Sequence, residues 1–504
     1  MKYLLGLDNG STMIKAGIFD MSGKELGVFS DRADTVSPHP GWYERDLETL
    51  WQANVTAVRG AIKAAGIAPE DIAAVSLTGH GNGAILVDAE GQPVRNAIEG
   101  ADSRALSYIK RFEEAGYYEK VHCKNMQVLW PALSIVVMAW LRDNEPEAYK
   151  KARYFFNVHD YVRFRLTGEA FAEISDISGT GLINTRDRCV DREMLAVVGL
   201  EEMADKIPPL KGSFEQAGCV TAAAAELTGL AAGTTVYAGT YDIDAAALAT
   251  GSVDESRICL ITGTWANNQY IGAKPVVAQE FFSTTVFSRP GYWLMLEGSP
   301  TSASNLEWFV TEFLQEEKKQ AKAAGTSVYD ICNRAVAETD PEETDLIFIP
   351  YLYGSNTSPI AKACFIGLQG WHQRKHVIRA IYEGICFSHR YHIEKLLNYL
   401  TPPEAARISG GGAKSREWSQ MFADVLQMPV EIPSATELGT LGACMCAGVG
   451  AGLFPDAESV VRAMVGVSGT IQPNPAKKDI YDRKYRNFLR AIRALEAYWE
   501  EDMK

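Results

Sequence analysis

The chain has 504 residues, a length that favours two or three domains over a single core. Its net charge of -14 argues against nucleic acid as a partner, because phosphate binding requires clustered Lys and Arg. No apolar run approaches the ~20 residues that span a bilayer, and the first residues lack a signal peptide's length and cleavage site. We therefore expect a cytoplasmic protein that binds no membrane, and the nine scattered cysteines fit such a reduced compartment.

The first twenty residues predict two strands joined by a tight polar turn, Asp8–Thr12. Within this turn, Gly10, Ser11 and Thr12 lack bulky side chains, so backbone N–H groups and hydroxyls can close around an anion. Asp8, at the end of the first strand, is placed to hold a metal ion or its water. An ordinary Asn-Gly hairpin turn is an equally good interpretation of this stretch alone.

The next motif follows a predicted helix that begins after Asp46, which is a suitable N-cap. A strand at residues 73–77 leads into the loop Thr78–Gly83, whose GxGxG spacing and following strand argue against dinucleotide binding. The polar groups of His80 and Asn82 suit a small polar ligand. A hydrogen-bonded structural histidine is an equally good interpretation of His80.

An acidic pair follows the short strand predicted at residues 236–240. Asp242 and Asp244 lie between this strand and a small-residue helix. An acidic residue in that place either caps the helix or acts as a general base. The local sequence alone favours the N-cap interpretation.

The second half of the chain repeats the opening pattern. The segment Ile258–Gly272 again reads as strand, turn and strand, with the turn at Gly263-Thr264, so we expect a duplicated fold in which two phosphate loops face each other. Further on, a strand at residues 406–409 enters the glycine turn Gly410–Ala413, and a helix follows. This arrangement can receive a nucleotide on bare backbone and a helix N-terminus, although a tight crossover turn is the alternative. The repeat places a domain boundary near residue 250.

Taken in order, these motifs resemble the FGGY carbohydrate kinases over essentially the full length of the chain. The strongest match is Ala363–Glu383, which resembles the family's C-terminal signature in its glycine and in the spacing to its histidine. The opening LDNGST resembles the first phosphate loop, Gly263-Thr264 the second, and Ser409–Ala413 the adenosine site. Glu437–Ala443 resembles a further family segment. Leu129–Ser134 departs from the family, which usually has a lysine there.

The resemblance implies an α/β, two-domain actin/hexokinase/Hsp70-like (ribonuclease H-like) fold, duplicated, with the active site in the interdomain cleft. Residues 1–250 would form the N-terminal domain, with the sugar site, the first phosphate loop and the catalytic base. Residues 251–504 would form the C-terminal domain, with the second phosphate loop and the adenosine site.

The activity implied is ATP-dependent transfer of the γ-phosphate to the terminal hydroxyl of a pentulose, giving the 5-phosphate. The chain is most similar to the family's xylulose kinases in Glu297–Thr301 and Ile349–Asn356, which favours L-xylulose, with D-xylulose next. Asn82 stands where xylulose kinases commonly have histidine, so ribulose, glycerol, gluconate and erythritol remain alternatives. An actin-like ATPase and a catalytically idle sugar-binding regulator are alternatives of another class. A homodimer is compatible with the resemblance.

The resemblance also implies roles for single residues, with Asp242 rather than Asp244 as the base and Asp8 near Mg²⁺. The residues implied to contact ATP are Asp8, Gly10, Ser11, Thr12, Lys15, Gly263, Thr264, Gly411, Gly412 and Ala413. The residues implied to bind the sugar are His80, Gly81, Asn82, Asp102 and Asp242.

Overall fold

A computed structural model describes residues 2–356 and 360–501, so Met1 of the opening stretch lies outside the described residues. The chain divides into two compact units, and each is assembled from separate stretches of sequence. The first unit comprises Met1–Asp254, Ile271–Met295 and Ala435–Gly466, and the second comprises Glu255–Tyr270, Leu296–Ser434 and Val467–Lys504.

Strands and helices are interspersed along the whole of the described chain. The strands are β1 (Tyr3–Asn9), β2 (Met13–Phe19), β3 (Glu25–Arg32), β4 (Glu44–Arg45), β5 (Ile72–Gly79), β6 (Ile85–Val87), β7 (Ala97–Ile98), β8 (Tyr154–Phe156), β9 (Ala172–Glu173), β10 (Leu210–Lys211), β11 (Gln216–Cys219), β12 (Thr235–Tyr237), β13 (Thr240–Tyr241), β14 (Arg257–Thr262), β15 (Ala266–Gly272), β16 (Ser283–Val286), β17 (Trp293–Ser299), β18 (Ile347–Ile349), β19 (Cys364–Ile366), β20 (Ala405–Gly410), β21 (Val430–Pro433) and β22 (Val467–Ile471). The α-helices are α1 (Leu47–Ala65), α2 (Leu106–Glu114), α3 (Tyr117–Lys120), α4 (His122–Asn125), α5 (Ser134–Asn144), α6 (Pro146–Lys151), α7 (Val158–Thr167), α8 (Ile174–Ser178), α9 (Arg192–Val197), α10 (Ala222–Thr228), α11 (Asp242–Thr250), α12 (Ser304–Phe313), α13 (Gln315–Ala323), α14 (Val328–Ala337), α15 (Arg374–Leu397), α16 (Arg416–Leu426), α17 (Leu438–Gly450), α18 (Ala457–Met464) and α19 (Lys478–Glu501). Short 3₁₀ turns lie at Pro69–Asp71, Glu201–Asp205, Gly412–Lys414 and Pro475–Lys477.

The sheet of the first unit has the strand order β11-β12-β5-β1-β2-β3, and β13 also pairs with β5. The predicted opening hairpin is present, because β1 and β2 pair antiparallel with Asp8 opposite Lys15. On the other side, β1 and β5 run parallel, so the turn Asp8–Thr12 and the loop after Gly79 lie at the same end of the sheet. The predicted cap is confirmed, since the Asp46 carboxylate accepts from the Thr49 N–H at the start of α1.

The second seven-stranded sheet repeats this arrangement, with the strand order β16-β17-β15-β14-β20-β21-β22. Its β14 and β15 form an antiparallel hairpin like β1 and β2, while β14 and β20 run parallel like β1 and β5. In both units the next pairing outward is parallel and the last is antiparallel. The duplication expected from the repeated strand-turn-strand pattern is therefore confirmed.

Helix α17 belongs to the first unit although it lies in the last quarter of the chain. Its backbone comes so close to β1 and α11 that glycine is required on both sides. A Cβ at Gly6 would lie 2.0 Å from the Thr440 carbonyl oxygen, and one at Gly442 would lie 2.3 Å from that of Ala245. The family-like segment Glu437–Ala443 is thus the piece of α17 that lies against the opening strand.

Candidate active site

The predicted first phosphate loop is the turn between β1 and β2. The Gly10 N–H donates to the Met13 carbonyl at 3.1 Å, and Ser11 and Thr12 are exposed at the tip. The Lys15 ammonium pairs with the Glu437 carboxylate at 2.8 Å, so a residue preceding α17 positions the lysine nearest this loop.

The carboxylate of Asp8 lies in a confined position beside this loop. A Cβ at Gly439 would lie 2.2 Å from Asp8 Oδ2, so only glycine lets α17 approach the carboxylate. Burial raises the pKa of Asp8 to about 6, while Lys15 acts to lower it. A half-buried carboxylate that is costly to ionise gains from a nearby cation, as expected of a residue that holds a metal ion or its water.

The predicted loop Thr78–Gly83 begins within the strand β5, which extends to Gly79, two residues beyond the predicted end. The His80 N–H donates to the Asn9 carbonyl at 3.1 Å, and His80 Nε2 lies 3.2 Å from Glu99 Oε2. Asn82 takes a left-handed backbone conformation with φ of 69°, and its Oδ1 accepts from the Ser134 N–H at 3.3 Å. A Cβ at Gly81 would lie 2.6 Å from Asp176 Oδ1, so the loop lies directly on that buried carboxyl.

The two acidic residues at the start of α11 have different environments. Asp242 is the first residue of the helix, while Tyr241 occupies the N-cap position and makes no side-chain cap. The N-cap interpretation of Asp242 is therefore wrong, because β13 pairs with β5 up to Tyr241 and moves the cap back one residue. Asp244 is fully buried, and its Oδ1 accepts from the N–H and hydroxyl of Ser288 at 2.8 and 3.0 Å.

Asp242 has the electrostatics of a candidate base. Burial and the neighbouring Asp8 raise its pKa to about 7, and His80 acts in the opposite direction. A base is most effective when its pKa lies near the working pH. The pairing of β13 with β5 brings Tyr241 opposite Gly79, so Asp242 follows directly beside the loop that carries His80.

The carboxylate of Asp102 accepts hydrogen bonds on both of its oxygens. Its two oxygens accept from Arg104 Nε and Nη2 at 2.9 Å each, and the Tyr43 N–H donates to Oδ2 at 2.7 Å. It is 2% exposed. The implied contact between Asp102 and the sugar remains a prediction, and in the structure this carboxylate orients Arg104.

The predicted second phosphate loop lies between β14 and β15. The Gly263 carbonyl accepts from the Ala303 N–H at 3.0 Å, and the Thr264 carbonyl accepts from the Ser302 N–H at 2.9 Å. Thr264 itself is exposed, and a Cβ at Gly263 would meet no atom closer than 3.9 Å. The loop is thus held by its carbonyls and presents open backbone.

The glycine turn after β20 is tied to the end of β14. The Gly411 N–H donates to the Thr262 carbonyl at 2.9 Å, and the Gly412 N–H donates to the Thr262 hydroxyl at 2.8 Å. Gly410 has φ of 91°, and a Cβ there would lie 2.6 Å from the same carbonyl. The three consecutive glycines allow this close approach, which brings the turn beside Gly263.

A cavity of about 520 Å³ opens beside this turn, within the second unit. Its apolar walls include Leu306, Tyr329 and Trp418, and its polar walls include Asn333 and Lys414. Clefts of roughly 300–1,000 Å³ with apolar walls and a few polar groups are typical of small-ligand and cofactor sites. The volume and the lining are therefore those of a small-ligand site, and Gly263 and Gly411 lie on its wall.

One polar residue of this cavity is fixed in orientation. Asn333 Oδ1 accepts from the Tyr382 hydroxyl at 2.9 Å and from the Ser415 hydroxyl at 2.7 Å. Because both donors occupy the carbonyl oxygen, the amide NH₂ group is the end that can donate to a ligand.

The described residues contain neither a preassembled metal centre nor a membrane-spanning helix. Across that part of the chain, no group of three or more His, Cys, Asp or Glu side chains is arranged to hold a metal ion. Mg²⁺ is usually bound through one or two carboxylates together with substrate phosphates, so Asp8 fits an ion that arrives with a nucleotide. No helix within residues 2–356 and 360–501 is both long and apolar enough to cross a bilayer.

Family comparisons agree with this geometry. The models for the N-terminal and C-terminal domains of the FGGY family of carbohydrate kinases match residues 3–249 and 259–451. The chain belongs to this family. It is therefore a phosphotransferase of the ATP-using sugar kinases, and the predicted family, fold class and enzyme class are confirmed.

Curated relatives match over the full length. The chain is 35% identical over 504 residues to a Pasteurella multocida protein named "Probable L-xylulose kinase", covering 99% of this chain and 100% of the relative. It is also 35% identical to the L-xylulose/3-keto-L-gulonate kinase of Escherichia coli K12, covering 99% and 98%. Among solved structures, xylulose kinase from Rhodospirillum rubrum matches with a TM-score of 0.89 and 27% identity, covering 99% of this chain and 100% of that one.

Several residues of the site carry no signal in the local sequence. Arg45 and Glu99 lie in or next to two-residue strands that show no periodicity, and Asn333 lies on a helix with no recognisable motif. Glu437 and Gly439 fall in the segment Glu437–Ala443, and the resemblance of that segment to the family was the signal that marked them. The position of each of these residues in the site depends on contacts between elements that are far apart in the sequence.

Proposed function

We propose that this kinase transfers the γ-phosphate of ATP to the terminal hydroxyl of L-xylulose, giving the 5-phosphate, with D-xylulose as the next candidate. The observation that supports the chemistry best is Asp242, a carboxylate with a pKa raised to about 7 that does not cap its helix. The sugar assignment rests on full-length similarity to relatives named for L-xylulose.

In the proposed reaction, Asp242 accepts the proton of the sugar's terminal hydroxyl. The oxygen then attacks the γ-phosphorus, the bond from phosphorus to the bridging oxygen breaks, and ADP is released. His80, Gly81 and Asn82 would bind and orient the sugar beside the base. Asp244 has no such role, because its Oδ1 is bound to Ser288.

The phosphates would lie against the two glycine-containing loops. Thr12, Lys15 and Thr264 would contact phosphate oxygens, and Asp8 would hold Mg²⁺ through water. An Mg²⁺ ion held there would help to neutralise the charge that develops on the phosphate oxygens. For Lys15, release from Glu437 would free the ammonium for this contact.

The base of the nucleotide would occupy the cavity of the second unit. Asn333 would donate its NH₂ group to an acceptor nitrogen of adenine, and Trp418 and Tyr329 would supply apolar contact. We propose accordingly that residues 1–250 hold the sugar and residues 251–504 hold adenosine.

The experiment that tests the proposal is ADP release with Mg-ATP across a sugar panel. The panel contains L-xylulose, D-xylulose, both ribuloses, glycerol, gluconate, erythritol and 3-keto-L-gulonate. We expect one xylulose to give the largest response, and Asp242→Asn to lower it by roughly 10²–10⁴-fold. Asp143→Asn, a change on a surface ion pair with Arg111, is the matched control and should leave the response unchanged. A strong response to another sugar would replace xylulose, and a fully active Asp242→Asn would refute the assigned base.

A further inference from the structure

A buried chain of three charged residues connects the first phosphate loop with the sugar loop. Arg45 donates from Nη2 to the Ser11 carbonyl and from Nη1 to the Gly10 carbonyl at 3.5 Å. Its Nη2 also lies 3.2 Å from Glu99 Oε2. The same carboxylate oxygen lies 3.2 Å from His80 Nε2.

Local backbone structure holds the chain of charges in place. The strand β4, which contains Arg45, pairs antiparallel with β7, and Arg45 lies opposite Ala97. The Glu99 N–H donates to the Tyr43 carbonyl at 3.0 Å, which extends this small sheet by one bond. The backbones of Arg45 and Glu99 are therefore held by this small sheet.

The three side chains differ in exposure. The Arg45 side chain is 0% exposed, that of Glu99 6% and that of His80 15%. Burial acts to lower the pKa of His80, but Glu99 raises it above its ordinary value. Burial acts to raise the pKa of Glu99, but His80 and Arg45 keep it below its ordinary value. The order is thus guanidinium, carboxylate and imidazole, and the most exposed of the three, His80, lies on the sugar loop.

A buried charge that loses its partner is strongly destabilised, so the three groups act together. A sugar that hydrogen-bonds His80 changes how firmly that ring holds Glu99. Glu99 in turn limits where the Arg45 guanidinium can lie, and Arg45 fixes the carbonyls of Gly10 and Ser11. The N–H groups and hydroxyls available to a phosphate at this turn depend on the position of those carbonyls.

We propose that Glu99 is a positioning residue that makes binding of the sugar and binding of the nucleotide's phosphates interdependent. This inference rests on the proposed function, because it requires a sugar at His80 and phosphates at Ser11 and Thr12. Sugar binding orders the turn through Arg45, and by reciprocity the nucleotide tightens sugar binding by the same factor.

Calorimetry on the full-length protein tests the interdependence. The affinity for the β,γ-imido analogue of ATP with Mg²⁺ is measured without sugar and with saturating L-xylulose, and the ratio of the two affinities is the coupling factor. In the wild type we expect a factor of roughly 5–150. In Glu99→Gln, which keeps the shape of the side chain, we expect a factor near 1, with the sugar-free nucleotide affinity nearly unchanged.

Glu44→Gln is the matched control. Glu44 neighbours Arg45 in β4 but pairs with Arg95 at 2.6 Å and with Arg104 at 2.9 Å. Loss of that carboxylate removes a partly buried pair of the same kind and should leave the coupling factor at the wild-type value. If Glu99→Gln does not fold, Arg45→Lys decides, because a lysine keeps the charge but cannot reach Glu99 and both carbonyls together.

The outcomes separate the inference from the function. A wild-type coupling factor in Glu99→Gln, or in Arg45→Lys, overturns the positioning role and leaves the kinase assignment standing. Equal loss of coupling in Glu44→Gln also overturns it, since the effect would then be general disruption of the small sheet. If the wild type shows neither sugar binding nor sugar-dependent ADP release, the proposed function fails and this inference fails with it.

Discussion

Replacing Asp242 by asparagine should make the protein more stable at alkaline pH while making it inactive. Burial and Asp8 raise the pKa of Asp242 from 3.8 to about 7 in the folded protein. The folded state therefore resists ionisation of this carboxyl, whereas the unfolded state ionises it freely above pH 4. The contribution of Asp242 to the free energy of unfolding therefore falls as pH rises from about 4 to 7, and Asp242→Asn lacks this loss.

The size of the effect follows from the shift. At 1.36 kcal/mol for each pH unit, the change from 3.8 to about 7 corresponds to at most about 4 kcal/mol at pH 8. At pH 5, where the folded protein keeps the proton, the same calculation gives about 1.6 kcal/mol. Asparagine should therefore stabilise the folded state by at most about 2.7 kcal/mol more at pH 8 than at pH 5.

The assay is unfolding in urea at both pH values, without Mg²⁺ or nucleotide, followed by tryptophan fluorescence. Asp143→Asn is a control of opposite sign, because hydrogen bonds from Arg142 and Arg111 lower the pKa of Asp143 to about 2. Its removal should lower stability at pH 8. If Asp242→Asn unfolds more easily than the wild type at pH 8, the fold stabilises the ionised carboxylate. Our assignment of Asp242 as a base with a raised pKa would then be wrong.

Three further predictions concern turnover and binding. The kcat/KM for sugar should rise with pH through about 7, since Asp242 must be ionised to accept a proton; a flat profile from pH 5.5 to 8.5 would contradict this. Asn333→Asp should raise the KM for ATP at least about fivefold, the effect of one lost hydrogen bond, with the sugar KM unchanged. Gly439→Ala should raise the Mg²⁺ concentration needed for activity, because its Cβ would displace Asp8; Gly469→Ala, in open space, should not.

Local sequence signals predicted much of the fold. The hairpin β1–β2, the cap at Asp46 and the glycine turn at Gly410–Ala413 depend on short-range steric and hydrogen-bonding rules, and the structure contains all three. The repeated strand-turn-strand pattern also predicted the duplication. The family resemblance then supplied the enzyme class, which local rules could not.

Other features depend on contacts between distant segments. Local rules favoured Asp242 as an N-cap, but pairing of β13 with β5 places Tyr241 there instead. The Arg45–Glu99 pair joins residues more than fifty positions apart, and nothing in either local sequence marks it. For Asp102, the sequence could not show that Arg104 already occupies both oxygens. These are tertiary effects, in which packing overrides or adds to local preference.

The assignment of α17 to the first unit also has a consequence for how the protein is made. Strand β1 is translated first, and its face at Gly6 packs against helix α17. This helix is synthesised more than four hundred residues later. At about 5–20 residues per second, the interval between residue 254 and residue 466 lasts about 10–40 s. During that time the nascent first unit has an uncovered apolar face, so folding of this unit must finish late and chaperones have time to bind it.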